Sequence, residues 1–191
     1  MDMRAPTLSR KQILNLAATY NHPVPGEETA VCERIGPAVR HRGHLTKDEF
    51  EALAHWASPR LGGRIRLNFE DEVREATKVA LSAETELMRI GALVALEGVG
   101  PPIASVILHH CHIDQYPLLD PKILVLMGVR RPPAPMRLPF WVDYVAQCRD
   151  LAAWTGVDMR TLDRALWVLA CTSDPEAAFG IRVSDDEAVD D

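Results

Sequence analysis

A Gly-Val-Gly sequence stands between two apolar segments near the middle of the chain. The segment Leu93–Leu96 leads into Gly98–Gly100, and a second apolar segment continues from Pro102. Both segments have helical periodicity, so the chain must turn sharply between two helices over about 87–111. Glycine permits the backbone dihedrals of such a turn and lets another molecule approach the main chain closely. Val99, between the glycines, is expected to point inward and pin the two helices together.

The same turn presents backbone amides at the start of the second helix. The first amides of a helix have no acceptor within it and lie at the positive end of the helix dipole, where a phosphate group binds. In this chain those amides belong to Gly100, Ile103 and Ala104. The sequence therefore predicts an anion site at the turn, with phosphate as its ligand.

A second feature is Asp120, which follows the apolar residues Leu118 and Leu119 and precedes Pro121. Aspartate is a favoured N-cap residue, and proline suits the first position of a helix. The pair predicts a helix start at which the carboxylate contributes about 1 kcal/mol of stability. A capping aspartate can also carry chemistry, so the two roles are compatible.

The order of these features resembles the HhH-GPD superfamily of base-excision DNA glycosylases. Its helix-hairpin-helix motif reads L-x-G-V-G and is followed by an apolar helix, a loop containing proline, and an aspartate. The corresponding elements here are Leu96–Gly100, the helix through Leu108, Tyr116-Pro117 and Leu118–Asp120. The match covers Leu93 to about Leu126, under a fifth of the chain.

The resemblance implies a monofunctional enzyme of DNA repair. Bifunctional members carry a lysine two residues beyond the second glycine, and Pro102 at that position has no amine to form a Schiff base. The family's aspartate comes eighteen residues later, at Asp120, where it would stabilise the oxocarbenium-like sugar or help to activate a water. The target base would be flipped out and stacked on an aromatic side chain, for which the candidates are Trp56, Tyr116 and Trp141.

The chain is not expected to hold a metal cofactor. Its four cysteines are widely spaced and form no C-x-x-C pair, so neither a zinc finger nor the iron–sulfur cluster of many family members is indicated. His109, His110 and His112 crowd the end of the second hairpin helix, where interaction with the helix dipole explains them without a metal. The resemblance does allow a monovalent cation at the hairpin carbonyls.

The distribution of charge keeps duplex DNA among the expected partners. The net charge is -6, with 21 Lys and Arg against 27 Asp and Glu, but five of the acids lie in the last eight residues. Segment 34–66 carries seven basic and three acidic residues. Within it Arg60, Arg64 and Arg66 are predicted to contact the DNA backbone, with a solvated surface as the alternative for each.

Helical periodicity runs through almost the whole chain and strand patterns are nearly absent, which predicts an all-α protein of roughly eight or nine helices. Thr46 and Glu49 form a capping box. Asn68 and Ser82 are predicted to cap the two helices that follow them. Two tryptophans at helical spacing, Trp154 and Trp167, are expected in the core.

We expect a single HhH-GPD-like domain over residues 1–183 and an acidic, disordered tail over 184–191. The apolar runs are too short to span a bilayer and no export signal is visible, so a cytoplasmic monomer is expected.

Three functions fit these observations, because a fold does not determine a function. The first is a monofunctional DNA glycosylase. The second is a helix-hairpin-helix protein that binds DNA without catalysis. The third is a protein-interaction module in which the hairpin serves only to pack helices.

Overall fold

The computed structural model describes residues 3–21, 34–58, 60, 62–112, 115–129, 133 and 137–172. Within these residues the chain forms ten helical segments and no strand, which confirms the all-α class. The predicted boundary at residue 183 and the predicted acidic tail over 184–191 lie outside the described residues.

The helices are numbered in chain order. They are α1 (Arg10–Ala18), α2 (Gly36–Arg42), α3 (Lys47–Ala57), the single turn α4 (Gly62–Ile65), α5 (Glu70–Ser82), α6 (Glu86–Val94), α7 (Pro101–Cys111), α8 (Pro121–Leu126), α9 (Leu138–Thr155) and α10 (Met159–Cys171). The two helices predicted over 87–111 are α6 and α7.

Helix α7 is the more deeply buried of the two hairpin helices. Every residue from Ile103 to Leu108 is buried, as are His110 and Cys111. Helices α2, α3 and α6 pack against it. An apolar helix that is buried on nearly all its faces has to be enclosed by other elements, and here these helices supply one part of the enclosure.

A second group of helices is assembled on α10. Helix α10 packs against α1, α8 and α9, and α9 in turn contacts α6. The segment before α1 joins this group, because the Arg4 amide donates to the Met127 carbonyl at 3.1 Å and the Ala5 amide to the Gln147 side chain at 3.0 Å. The core side chains of both groups form one continuous cluster.

Local capping patterns account for several helix starts. Thr46 and Glu49 form the predicted capping box of α3. Ser82 does not cap α6 as predicted, because α5 extends through Ser82 and the N-cap of α6 is Thr85, whose side chain accepts from the Met88 amide. The prediction was wrong because α5 runs farther than the sequence pattern indicated.

Asn68 holds the hairpin turn rather than capping α5, whose N-cap is Phe69. The Asn68 side chain donates to the carbonyls of Ile65 and Glu97 at 2.8 and 2.9 Å, and it accepts from the Glu97 amide at 2.7 Å. Asn68 is buried. One buried amide therefore ties the loop after α4 to the turn between α6 and α7.

We predict that Asn68→Ala destabilises the protein by about 2–3 kcal/mol, since three hydrogen bonds of about 1 kcal/mol each are lost inside the structure. Urea unfolding followed by circular dichroism measures the change. Asn15→Ala on the exposed face of α1 is the matched control and should change stability by less than about 0.5 kcal/mol. Equal effects of the two substitutions would contradict the role given to Asn68.

Candidate functional site

A pocket of about 470 Å³ lies where the two groups of helices meet. It is lined by the end of α3, both ends of α7, the start of α8 and one face of α10. Ligand sites in proteins have volumes of about 300–1,000 Å³ and lie at such junctions between packed units. This pocket is therefore the candidate ligand site, and several of the predicted site residues line it.

The hairpin turn reaches the pocket through Gly100 and Ile103. Gly98 has a φ of +79°, and a Cβ there would lie 3.1 Å from both the Arg64 Cβ and the Ile65 Cδ1. Both predicted reasons for a glycine, an unusual dihedral and a close approach, therefore apply to Gly98. The Val99 side chain is buried as expected.

Gly100 differs from the prediction, because its φ of -97° is open to any residue and a Cβ there would meet only Pro102 at 3.7 Å. The Ala104 amide is also not free, since it donates to the Gly100 carbonyl at 3.0 Å. Pro101 and Pro102 have no amide hydrogen. The amides of Gly100 and Ile103 remain without an acceptor among the described residues, so the predicted phosphate site is reduced to these two donors.

Asp120 caps α8 and also lines the pocket. One carboxylate oxygen, Oδ1, accepts from the Lys122 amide at 2.7 Å, which confirms the predicted cap. Within the described ranges, Oδ2 has no hydrogen-bond partner. The cap thus engages one oxygen and leaves the other available to a ligand.

The three arginines predicted to bind the DNA backbone lie on the surface of the protein. Arg60, Arg64 and Arg66 are all exposed. The position of the Arg64 Cβ against Gly98 places this loop beside the hairpin. However, Arg64 pairs with Glu97 at 3.2 Å, and Arg66 lies 3.9 Å from Glu51. These acids neutralise part of the positive charge that the sequence places here.

Of the three aromatic candidates for a base pocket, Trp56 lines the pocket, whereas Tyr116 and Trp141 are buried in the core. The rings of Tyr116 and Trp141 stack on each other, with centroids 6.1 Å apart. Both direct their polar atoms to Glu86, at 2.5 Å from the Tyr116 hydroxyl and 2.9 Å from the Trp141 Nε1. Their assignment as base-stacking residues is therefore corrected, because their rings are already packed together.

Glu86 completes this buried polar cluster together with Arg89, whose guanidinium lies 2.7 Å from it. Burial alone would favour the neutral acid. The hydrogen bonds from Tyr116 and Trp141 and the positive charge of Arg89 outweigh that effect and lower the pKa of Glu86. The cluster is thus an ionised core network that joins α6 to α9.

Two aromatic side chains that the sequence did not assign to the pocket, Tyr20 and Trp167, line it. Their rings meet edge to face, with centroids 5.5 Å apart. Trp167 is half-buried, while Trp154 is 83% exposed, so the expectation that both tryptophans lie in the core was wrong for Trp154. Helical spacing alone could not separate them, because it does not tell which face of a helix borders a pocket.

Sequence reasoning also missed a buried pair formed by His109 of α7 and Asp163 of α10. The His109 Nδ1 lies 3.0 Å from Asp163 Oδ2 and 2.7 Å from the Tyr116 carbonyl oxygen. The two side chains are 5% and 4% exposed, and both residues line the pocket. The signal available in the sequence was an aspartate on the apolar face of α10, next to Leu162, because a buried carboxylate needs a partner.

The pair keeps a proton in the interior of the protein. Burial opposes the positive charge of His109, but the hydrogen bond and the negative charge of Asp163 outweigh it and raise the pKa of His109. Burial raises the pKa of Asp163 in turn. For the neighbouring His110, burial and the nearby positive groups lower the pKa well below its ordinary value, so that ring is neutral.

In the part of the chain that the structure describes, no group of three or more His, Cys, Asp or Glu side chains is arranged to hold a metal ion. Across the same residues, no helix has the length and apolar character needed to cross a membrane.

The chain was compared with protein-family models, with curated proteins and with solved structures, and no match was found in any of the three. The fold and the site together define an all-α protein with a pocket that joins a helical hairpin, a capping aspartate and a buried histidine–aspartate pair.

We predict that Gly98→Ala destabilises the protein more than Gly43→Ala does. Both glycines have a positive φ, so each substitution incurs a backbone strain of about 1–2 kcal/mol, but a Cβ at Gly43 meets nothing within 4 Å. The difference in the free energy of unfolding measures the close packing of the turn on α4. Gly100→Ala should be nearly neutral, and equal losses at Gly98 and Gly43 would show that the close contact is relieved at no cost.

Proposed function

We propose that this protein binds duplex DNA through the hairpin and acts as a monofunctional DNA glycosylase, which hydrolyses the N-glycosidic bond of a damaged or mismatched base. The observation that carries the proposal is the meeting of Gly100, Ile103 and Asp120 at one pocket. The sequence resemblance relates these residues by spacing alone, and their common position is an independent support. A non-catalytic DNA-binding protein is the alternative.

The donors at the turn suit the DNA backbone. The amides of Gly100 and Ile103 lie at the start of α7, where the helix dipole favours an anion. Arg64 stands beside the turn and adds a positive charge. Contacts of this kind position a protein on DNA without reading its sequence.

The carboxylate of Asp120 suits the chemical step. As the bond between the sugar C1′ and the base breaks, positive charge develops on the sugar, and a nearby carboxylate stabilises it. The same group can accept a proton from the water that attacks C1′. Pro102, at the position of the lyase lysine, has no amine, so the product is an abasic site with an intact strand.

We predict that Asp120→Asn lowers the rate of base release by at least about 100-fold, because the side-chain oxygen that caps α8 is retained while the negative charge is lost. Duplex oligonucleotides, each with one modified base, are incubated with the protein, and abasic sites are detected by alkaline cleavage. Affinity for the same duplexes, from fluorescence anisotropy, should remain within about two-fold.

The matched control is Asp158→Asn, which changes the carboxylate that caps α10 and does not line the pocket. It should leave the rate unchanged. Base release that persists in Asp120→Asn would eliminate the catalytic role. Specific DNA binding without release of any base by the unaltered protein would favour the non-catalytic alternative.

We further predict opposite effects from the two members of the Arg64–Glu97 ion pair. Arg64→Ala should weaken DNA binding and reduce the slope of log affinity against log salt by about one. Glu97→Gln should tighten binding, because it removes a negative charge that repels the backbone. Lys11→Ala on the exposed face of α1 is the charge-matched control. An unchanged slope in Arg64→Ala would place this loop outside the interface.

A further inference from the structure

We propose that His109, oriented by Asp163, recognises a nucleobase in the pocket by donating a hydrogen bond from Nε2 to an acceptor atom on the edge of the base. The inference deepens the proposed function, on which it rests for the arrival of the base from DNA. It assigns a polar contact in the pocket to a residue for which the sequence resemblance implies no role.

The orientation of the ring follows from the two neighbours of Nδ1. The Asp163 carboxylate and the Tyr116 carbonyl are both acceptors, at 3.0 and 2.7 Å, so Nδ1 carries the proton that is shared with them. His109 lines the pocket, and Nε2 lies across the ring from Nδ1. Nε2 is therefore the ring atom that remains to meet a ligand.

Asp163 is itself held in place. Its two carboxylate oxygens accept from the Leu118 amide, each at 3.3 Å. Leu118 lies just before Asp120, so the segment that presents the capping carboxylate also fixes the partner of His109. The pair is thus part of the pocket wall and not a surface contact.

Several charged or titratable groups surround the imidazole. They are Asp163 and Arg160 on α10, His110 on α7, Asp120 at the start of α8, and Tyr144 on α9 near Asp163. Arg160 and burial oppose a second proton on His109, while Asp163 favours it and prevails. The imidazolium donates from Nε2, and the ring loses this ability as the pH rises through the pKa of His109.

The other walls of the pocket suit a flat aromatic ring. Trp56, Tyr20 and Trp167 line it, and Ile103 and Val106 add apolar surface. Trp56 is buttressed by the neutral ring of His110, edge to face at 5.2 Å. Aromatic walls beside a hydrogen-bond donor are a suitable environment for a nucleobase, which stacks through its faces and carries acceptors on its edge.

In base excision the same donor would assist departure of the base. The electron pair of the C1′–N bond passes to the base, which takes the proton from His109 Nε2. Water adds its oxygen to C1′ and gives a proton to Asp120. His109 then regains a proton from solvent and Asp120 releases one, which restores the site. Neutral bases need this proton, and bases that are already cationic, such as 7-methylguanine, do not.

The direct test is binding of free adenine, hypoxanthine, cytosine and uracil at millimolar concentrations to the full chain labelled with ¹⁵N-histidine. We expect at least one base to shift the His109 ring nitrogens, with affinity that falls as the pH rises through the pKa of His109. His109→Gln should weaken binding about ten-fold or more. His41→Gln, an exposed histidine on α2, should have no effect. Absence of binding by every base, or affinity indifferent to His109, would overturn the proposal.

Asp163→Asn separates recognition from mere packing. The amide can still accept from the His109 ring but carries no charge, so the pKa of His109 should fall. We expect the pH at which base affinity is half lost to move down with it, while affinity at lower pH stays near that of the unaltered protein. An unmoved pH profile, with the fold intact by circular dichroism, would contradict recognition by the imidazolium.

The failure of this inference differs from the failure of the proposed function. Binding of a free base through His109, with no release of any base from duplex DNA, would leave the inference standing and reject the glycosylase. The opposite result is also possible to recognise. If His109→Gln slows the release of neutral and cationic bases from DNA equally and does not weaken the binding of free bases, the glycosylase would stand and the inference would be rejected.

Discussion

The burial of α7 on nearly all its faces is the constraint on which the rest of the structure depends. A run of apolar side chains from Ile103 to Leu108 cannot face water, so helices have to surround it. The first group of helices encloses α7 directly. The second group contacts the first through α9, which packs against α6, and through α10, whose Asp163 pairs with His109. The pocket lies at the junction, which is why residues from both groups line it.

The polar groups on α7 then determine where the neighbouring loops lie. Ser105 is fully buried, and its hydroxyl donates to the Pro102 carbonyl at 2.7 Å and accepts from the Leu119 amide at 2.9 Å. His109 fixes Asp163, which accepts from the Leu118 amide. Buried polar groups need hydrogen-bond partners. Ser105 bonds directly to the chain just before Asp120, and His109 does so through Asp163. The position of Asp120 at the pocket is thus a consequence of hydrogen bonding inside the core.

Features of this fold that depend on neighbouring residues were predicted correctly, whereas features that depend on contacts between distant helices were not. The capping box at Thr46, the cap at Asp120 and the turn after α6 were all predicted, because each depends on residues within a few positions of one another. The expectations for Asn68, Tyr116 and Trp141 failed, because the partners of these side chains come from other helices. Asn68 has the composition of an N-cap, and only the proximity of Glu97 explains why it bonds to the hairpin instead.

The sequence by itself determined the helical class, the hairpin and the two roles open to Asp120, since helical period, turn residues and caps are written in short segments of chain. The tertiary structure decided which side chains meet. It brought His109 to Asp163, gathered Tyr20, Trp56 and Trp167 around one pocket, and placed Tyr116 and Trp141 in the core. The physical reason is that periodicity specifies which face of a helix is apolar, whereas the packing angle and rotation of each helix decide which neighbours that face contacts.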